Sequence, residues 1–318
     1  MSDMLSHWAI FEDARNIAVQ DDKFDPELSR VIETYLEYAR LGTVSRGGNQ
    51  WMGPIIKRAR AAWGEAEAHP AQDRKLAYAL GGLPHQAIDN VIKPYRNMVV
   101  RRDEAHERPL EAANRWLYAY HDAFVLKKVF GGGEDGAFFN KFLLAANPTS
   151  TGQAIEDYAR TMVLRGLQGL HTLSPNIEDM DGWLDRSVDF IQPVTIDIAR
   201  LVEGYVDPDP DKMQRFRIEE EFYREDDPAI QLAEAVRSGA QVEQGRIDEV
   251  AAGAEANQSV YGQALAIAIR YMREGAKLWR GETEELDTPN YDTAPFWAEQ
   301  AAKGQVRKQD VSAAKATG

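Results

Sequence analysis

The chain has 318 residues, 44% of them apolar, no cysteine and a formal net charge of −14. Without cysteine there are no disulfides, thiolate nucleophiles or thiolate metal ligands. The acidic balance disfavours a general nucleic-acid binder, and the apolar fraction is too high for global disorder. No run nears the roughly 18 apolar residues of a membrane span, so no transmembrane helix is expected. The opening MSDMLSHWAIFEDARN has no basic stretch leading into an apolar one. No secretory signal is expected from it, and the expected location is cytoplasmic.

Residues 5–19 read as a short amphipathic helix, with Ser6 at its N-cap and His7, Ile10, Phe11, Ala14 and Ile17 on one stripe. Pro26 opens a second helix over 27–41, carrying Leu28, Val31, Ile32, Tyr35 and Leu36 at helical spacing. Gly42 to Asn49 reads as a glycine-rich loop. A third helix is expected over 51–68, with Pro54 in its first turn. A fourth runs from Asp73 to Gly81, where Gly81, Gly82 and Pro84 kink or restart the chain before His85. Pro94 marks another break or kink.

From Pro109 to Phe130 a long helical pattern places Leu110, Asn114, Leu117, His121, Phe124 and Val125 on its inward side. The run GGGEDG ends it, and Asn147-Pro148 marks a boundary. Two amphipathic helices follow at 152–170 and 178–204. Two shorter acidic helices and a long one over 243–280, ended by Gly281, complete the pattern. The last residues, 304–318, read as a polar tail. No strand alternation appears, so the expectation is an all-α fold of about ten helices. Its parts are a helical core over 1–146 and additional helices over 147–303 packed on the same domain. The helix at 243–280 either packs on the first half or forms a surface for a homo-oligomer.

The chemistry concentrates in LAYALGGLPHQAIDNVIKPY, residues 76–95. On a helix, His85 and Asp89 stand one turn apart on one face, with Ile88 and Ile92 beside them. A buried His and Asp need partners, which are each other, a polar network or a metal. His7, His85 and His121 all fall on apolar stripes. Imidazoles from three helices suit zinc, and Asp89 adds an oxygen ligand. Without a metal, a histidine paired with Asp89 can act as a general base. A hydrogen-bonded core histidine is the plainer reading of any one of them.

The order of these features resembles the zinc-dependent phospholipase C family. That family includes the N-terminal domain of glycosylphosphatidylinositol-specific phospholipase D, and the fungal single-strand nucleases are more distant relatives of the fold. The resemblance covers residues 5–130 and rests on Ser6-His7, on YARLGTVSRGG (38–48) and on the H-x-x-x-D pair. It implies a compact all-α bundle of the phospholipase C/nuclease type around as many as three zinc ions, hydrolysing a phosphodiester. Carried over, His7, His85, Asp89 and His121 are the metal ligands, and Asp89 also takes a catalytic part.

The chain also departs from that pattern. The loop that carries a metal-binding Asp in the family reads Thr43-Val44-Ser45-Arg46-Gly47 here. Lys93 stands where the family has a further His, and Val125 where it has an acid. The expectation is therefore fewer ions than three. Arg46 and Lys93 either hold an anionic phosphoester substrate or fill the vacated sites and pair with Asp89. Candidate replacement ligands are Glu12, Asp13, Asp73, Asp122 and His106. Two functions follow: a zinc-dependent phosphoester hydrolase acting on a small or phospholipid-like substrate, or a non-catalytic helical scaffold that kept the fold and lost the metals.

Overall fold

The computed structural model describes residues 4–44, 49–64, 69–102, 110–130, 177–182, 184–185, 200–201, 203–253 and 258–288. Among these residues every regular element is helical and none is a strand. The all-α expectation holds at that level. No helix among them is long and apolar enough to cross a membrane. Expected elements at 131–176, the helix at 152–170 and the tail at 304–318 lie outside the described residues, as do Arg46 and His106.

The chain forms two compact units. The larger comprises Ser6–Leu110 and Arg217–Gly318. Its helices are α1 (Met4–Ala18, which enters the unit at Ser6), α2 (Pro26–Thr34), α3 (Leu36–Val44), α4 (Asn49–Ala62) and α5 (His69–Arg102). The smaller unit comprises Met1–Leu5 and Glu111–Phe216 and holds α6 (Leu110–Lys128) and the short α7 (Pro210–Arg215). A π-helical turn (Ile218–Phe222), α8 (Pro228–Arg237), α9 (Gln244–Ala252) and α10 (Val260–Arg280) return to the larger unit.

Local chemistry explains several helix ends. Asp25 caps α2 by accepting from the Glu27 N–H, with Pro26 in the first turn where no amide proton is needed. The expected helix over 27–41 breaks at Tyr35, whose backbone (φ −120°, ψ 43°) leaves the helical region. Gly281 adopts φ 77° and closes α10, as the sequence suggested. The expected single helix at 243–280 is two helices. Gly253 ends α9, and Ser259 starts α10 by accepting from the Gly262 N–H. Buried Asp227 joins this start to α8: it accepts from Ala229 N–H (2.8 Å) and from both Ser259 N–H and Oγ–H (2.7 Å each). At the N-terminus, α1 begins at Met4, so Ser6 lies inside the helix rather than at its cap.

The core of the larger unit forms around α5 and α10. Helix α5 packs on α2, α3, α4 and α10, and α10 also packs on α4, α8 and α9. Of the expected kink or restart at Gly81–Pro84 and break or kink at Pro94, neither a restart nor a break occurs; α5 runs through both prolines. Each proline costs a backbone hydrogen bond. Apolar burial on either side offsets this: Leu80, Leu83, Ala87, Ile88, Val91, Ile92 and Tyr95 are all fully buried. The glycines serve contact rather than breakage. A Cβ on Gly81 would stand 1.8 Å from the Ala39 carbonyl oxygen, and one on Gly42 would stand 2.1 Å from that of Tyr78. Only glycine permits α3 and α5 to cross backbone to backbone in this way. Gly42 accordingly lies in α3, which extends to Val44, and not in a loop.

Several buried charges of this unit are paired. Arg40 Nε donates to Glu12 at 2.5 Å, and Trp8 Nε1 donates to the Arg40 carbonyl at 3.3 Å. Asp13 sits in the core between Arg237 Nε (2.9 Å) and the Tyr261 hydroxyl, which donates to it at 2.6 Å. Burial pushes the Asp13 carboxyl up, against the pull of Arg237 and Tyr261. In the smaller unit, the Tyr120 hydroxyl donates to Glu203 (3.3 Å) and accepts from Asp209 N–H (3.1 Å), and its burial raises it to about 12.

Candidate metal centre

Three helices of the larger unit supply the site. Helix α1 carries His7, and α5 carries His85, Asp89 and Lys93 at successive four-residue steps along one face. The last turn of α3 contributes a backbone atom. The glycine crossing of α3 on α5 brings Thr43 down beside α5. There its hydroxyl donates to the Gly81 carbonyl (3.0 Å), and its own carbonyl meets His85 Nδ1 at 2.7 Å. That carbonyl belongs to the last turn of α3.

The imidazoles converge on one carboxylate. His7 Nε2 lies 3.4 Å from Asp89 Oδ1, and His85 Nε2 lies 3.2 Å from Asp89 Oδ2. The two rings are 5.1 Å apart, tilted by 41°. His7 is buried, whereas the His85 and Asp89 side chains keep 14% and 17% of their surface in contact with solvent. The site therefore lies at the edge of the core and remains reachable. Lys93 approaches from the solvent side, with Nζ 2.5 Å from Asp89 Oδ2. Burial pushes the Asp89 carboxyl up, but hydrogen bonds and charge from His7 and His85 outweigh it and hold the group well below the usual carboxylate range.

The Thr43 contact fixes the chemistry of His85. A carbonyl oxygen only accepts, so Nδ1 carries a proton and donates. In the neutral ring the lone pair then sits on Nε2, aimed at an anionic oxygen 3.2 Å away. Two such acceptors attract only if something positive lies between them, a second ring proton or a metal ion. Histidine metal ligands are commonly oriented in this way, with the other ring nitrogen donating to a carbonyl or carboxylate. Zinc bonds of about 2.0–2.2 Å place adjacent tetrahedral ligand atoms about 3.3–3.5 Å apart. The spacings here, 3.4 Å from His7 to Oδ1 and 3.2 Å from His85 to Oδ2 of Asp89, lie close to that span. One ligand atom from each of His7, His85 and Asp89 fits within 4.8 Å of the others, and among the described residues no further group of this kind occurs.

The other sequence candidates have these surroundings. His121 is fully buried on α6 of the smaller unit, where burial lowers it to about 3 despite neighbouring Asp122. Glu12 pairs with Arg15 and Arg40, Asp13 with Arg237 and Asp73 with Arg30. None of these acids joins the His7–His85–Asp89 group. Asp122 belongs, with His121, to the smaller unit. Thr43 was missed as a site residue because the atom that matters is its backbone carbonyl, which has no sequence signature. Compared with known proteins, the chain matches no family model, no curated protein and no solved structure.

Proposed function

We propose that the chain is a metal-dependent phosphoester hydrolase, of the phospholipase C/nuclease type, with one zinc ion held by His7, His85 and Asp89. The observation that carries this reading is the hydrogen bond from His85 Nδ1 to the Thr43 carbonyl, which presents Nε2 as a ligand beside His7 and Asp89. Two nitrogens and one oxygen leave a tetrahedral position open, as in catalytic zinc sites. When bound, such an ion supplies an activated water and a positive charge for a phosphoryl oxygen. Asp89 offsets the charge of the ion, and Lys93, half exposed beside it, holds an anionic oxygen of a small or phospholipid-like phosphoester.

The test is hydrolysis of bis(p-nitrophenyl) phosphate by zinc-loaded protein, with His85→Ala and Asp89→Ala as controls. Turnover that requires zinc and vanishes in both variants is the expected result. Turnover unchanged in either variant, or none with zinc bound, refutes it.

A specific observation favours a second reading. The Lys93 ammonium already neutralises Asp89 at 2.5 Å, which suits a non-catalytic helical scaffold whose site is closed by a side chain. Under that reading zinc does not bind, and Lys93→Met costs only stability.

A further inference from the structure

We infer that Lys93 and a divalent cation are alternative partners of the Asp89 carboxylate, and that Lys93, once displaced, turns to an oxyanion on the metal, so that metal and oxyanion bind cooperatively. This rests on the metal-site reading above and adds a ligand class and a coupling to it.

The competition arises from shared atoms. Lys93 Nζ and His85 Nε2 share one oxygen, Asp89 Oδ2, at 2.5 and 3.2 Å. An ion bound by His85 and Asp89 occupies the space between these atoms and stands within a few ångströms of the ammonium. Like charges at such a separation repel, the more so where the surroundings are partly desolvated. The His85 ring cannot give way, because Nδ1 is tied to Thr43 at 2.7 Å. His7 is buried and has no room to retreat. Lys93 is the mobile member: 49% of its side chain is exposed, and its long stem can swing outward at little cost.

Displacement would leave the ammonium beside the ion that His7, His85 and Asp89 would hold. A tetrahedral oxyanion placed there binds the ion through one oxygen and Lys93 through another. It screens the repulsion that the metal alone created. Oxyanion binding thus favours the metal-bound arrangement, and by linkage the metal raises oxyanion affinity by the same factor. An uncharged ligand gains nothing from Lys93, so the coupling selects phosphate, phosphonate and phosphoester groups over neutral ones.

The experiment measures zinc affinity by competition with a chromogenic chelator, with and without methylphosphonate, a non-hydrolysable oxyanion. Wild type, Lys93→Met and Lys93→Arg are compared, with folding checked by circular dichroism. In wild type, methylphosphonate is expected to tighten zinc about tenfold, within the usual range of coupling between sites. Lys93→Met is expected to bind zinc more tightly than wild type without the oxyanion and to show a much weaker coupling. Lys93→Arg keeps the charge and is expected to retain it.

Coupling undiminished in Lys93→Met, or zinc binding in wild type that methylphosphonate leaves unchanged, overturns the inference while leaving the metal site standing. Zinc binding absent from both wild type and Lys93→Met overturns it together with the metal-site reading.

Discussion

Substituting His85 separates its two ring nitrogens. Nδ1 donates to a buried helix-end carbonyl at 2.7 Å, and Nε2 faces Asp89 at 3.2 Å. His85→Ala removes both. Leaving the Thr43 carbonyl without its donor costs about 1–3 kcal/mol, and losing one charge-stabilising neighbour of Asp89 adds about 1 kcal/mol. The total expected is about 2–4 kcal/mol. His85→Asn places an amide nitrogen near the Nδ1 position and retains the bond to Thr43. His85→Gln reaches toward Asp89 and forfeits that bond. Urea unfolding, in the presence of a chelator and followed by circular dichroism, should rank stability as wild type, then Asn, then Gln and Ala. The Asn variant should recover about 1 kcal/mol or more relative to Ala. Equal urea midpoints for Asn and Gln, or an Ala variant within about 0.5 kcal/mol of wild type, would refute the assignment of His85 Nδ1 as the cap of α3.

Other expectations follow from the same structure. Gly81→Ala drives a Cβ into the Ala39 carbonyl, so it should cost about 3 kcal/mol or more and loosen the Thr43–His85 contact. Gly245→Ala meets open space on α9 and should be neutral or stabilising by as much as about 1 kcal/mol; urea midpoints of the two variants decide this. The Asp89 carboxyl is held below its ordinary value, so its contribution is fully present above the unfolded pKa of about 3.9. That contribution should disappear as pH falls below this value toward the folded one. In chelator, the stability gap between wild type and Asp89→Asn should therefore shrink as pH falls below about 4; a gap that widens there contradicts the assigned sign. Arg237→Met strands buried Asp13 beside Tyr261 and should cost about 3–5 kcal/mol. Adding Asp13→Asn should return part of that loss in the same unfolding assay.

The sequence and the structure agree where the signal is local. Pro26 and Gly281 mark helix ends by their own backbone chemistry, and both stand where expected. The four-residue spacing of His85, Asp89 and Lys93 put them on one face of α5, and their side chains do meet. His7 joins them from α1. Non-local causes were hidden. Gly81, Gly82, Pro84 and Pro94 read as places of a kink, break or restart, and α5 continues through them without a break. The glycines are needed by α3 and α4, which approach from elsewhere in the chain: Gly81 meets Ala39, and Gly82 meets Met52. A helical pattern at 243–280 concealed the restart at Ser259 because its second cap partner, Asp227, lies outside that segment. His121 shared the apolar-stripe signature of His7 and His85, but periodicity cannot say which buried histidines face one another. The structure assigns His121 to the smaller unit.

The measurement closest to the central claim is zinc content per chain. It is read by elemental analysis on untagged protein equilibrated with zinc and then dialysed, beside His7→Ala and His85→Ala. The account predicts one tightly held zinc in wild type and none in either variant. No zinc in wild type, or zinc retained equally by both variants, would contradict a metal centre built from His7, His85 and Asp89.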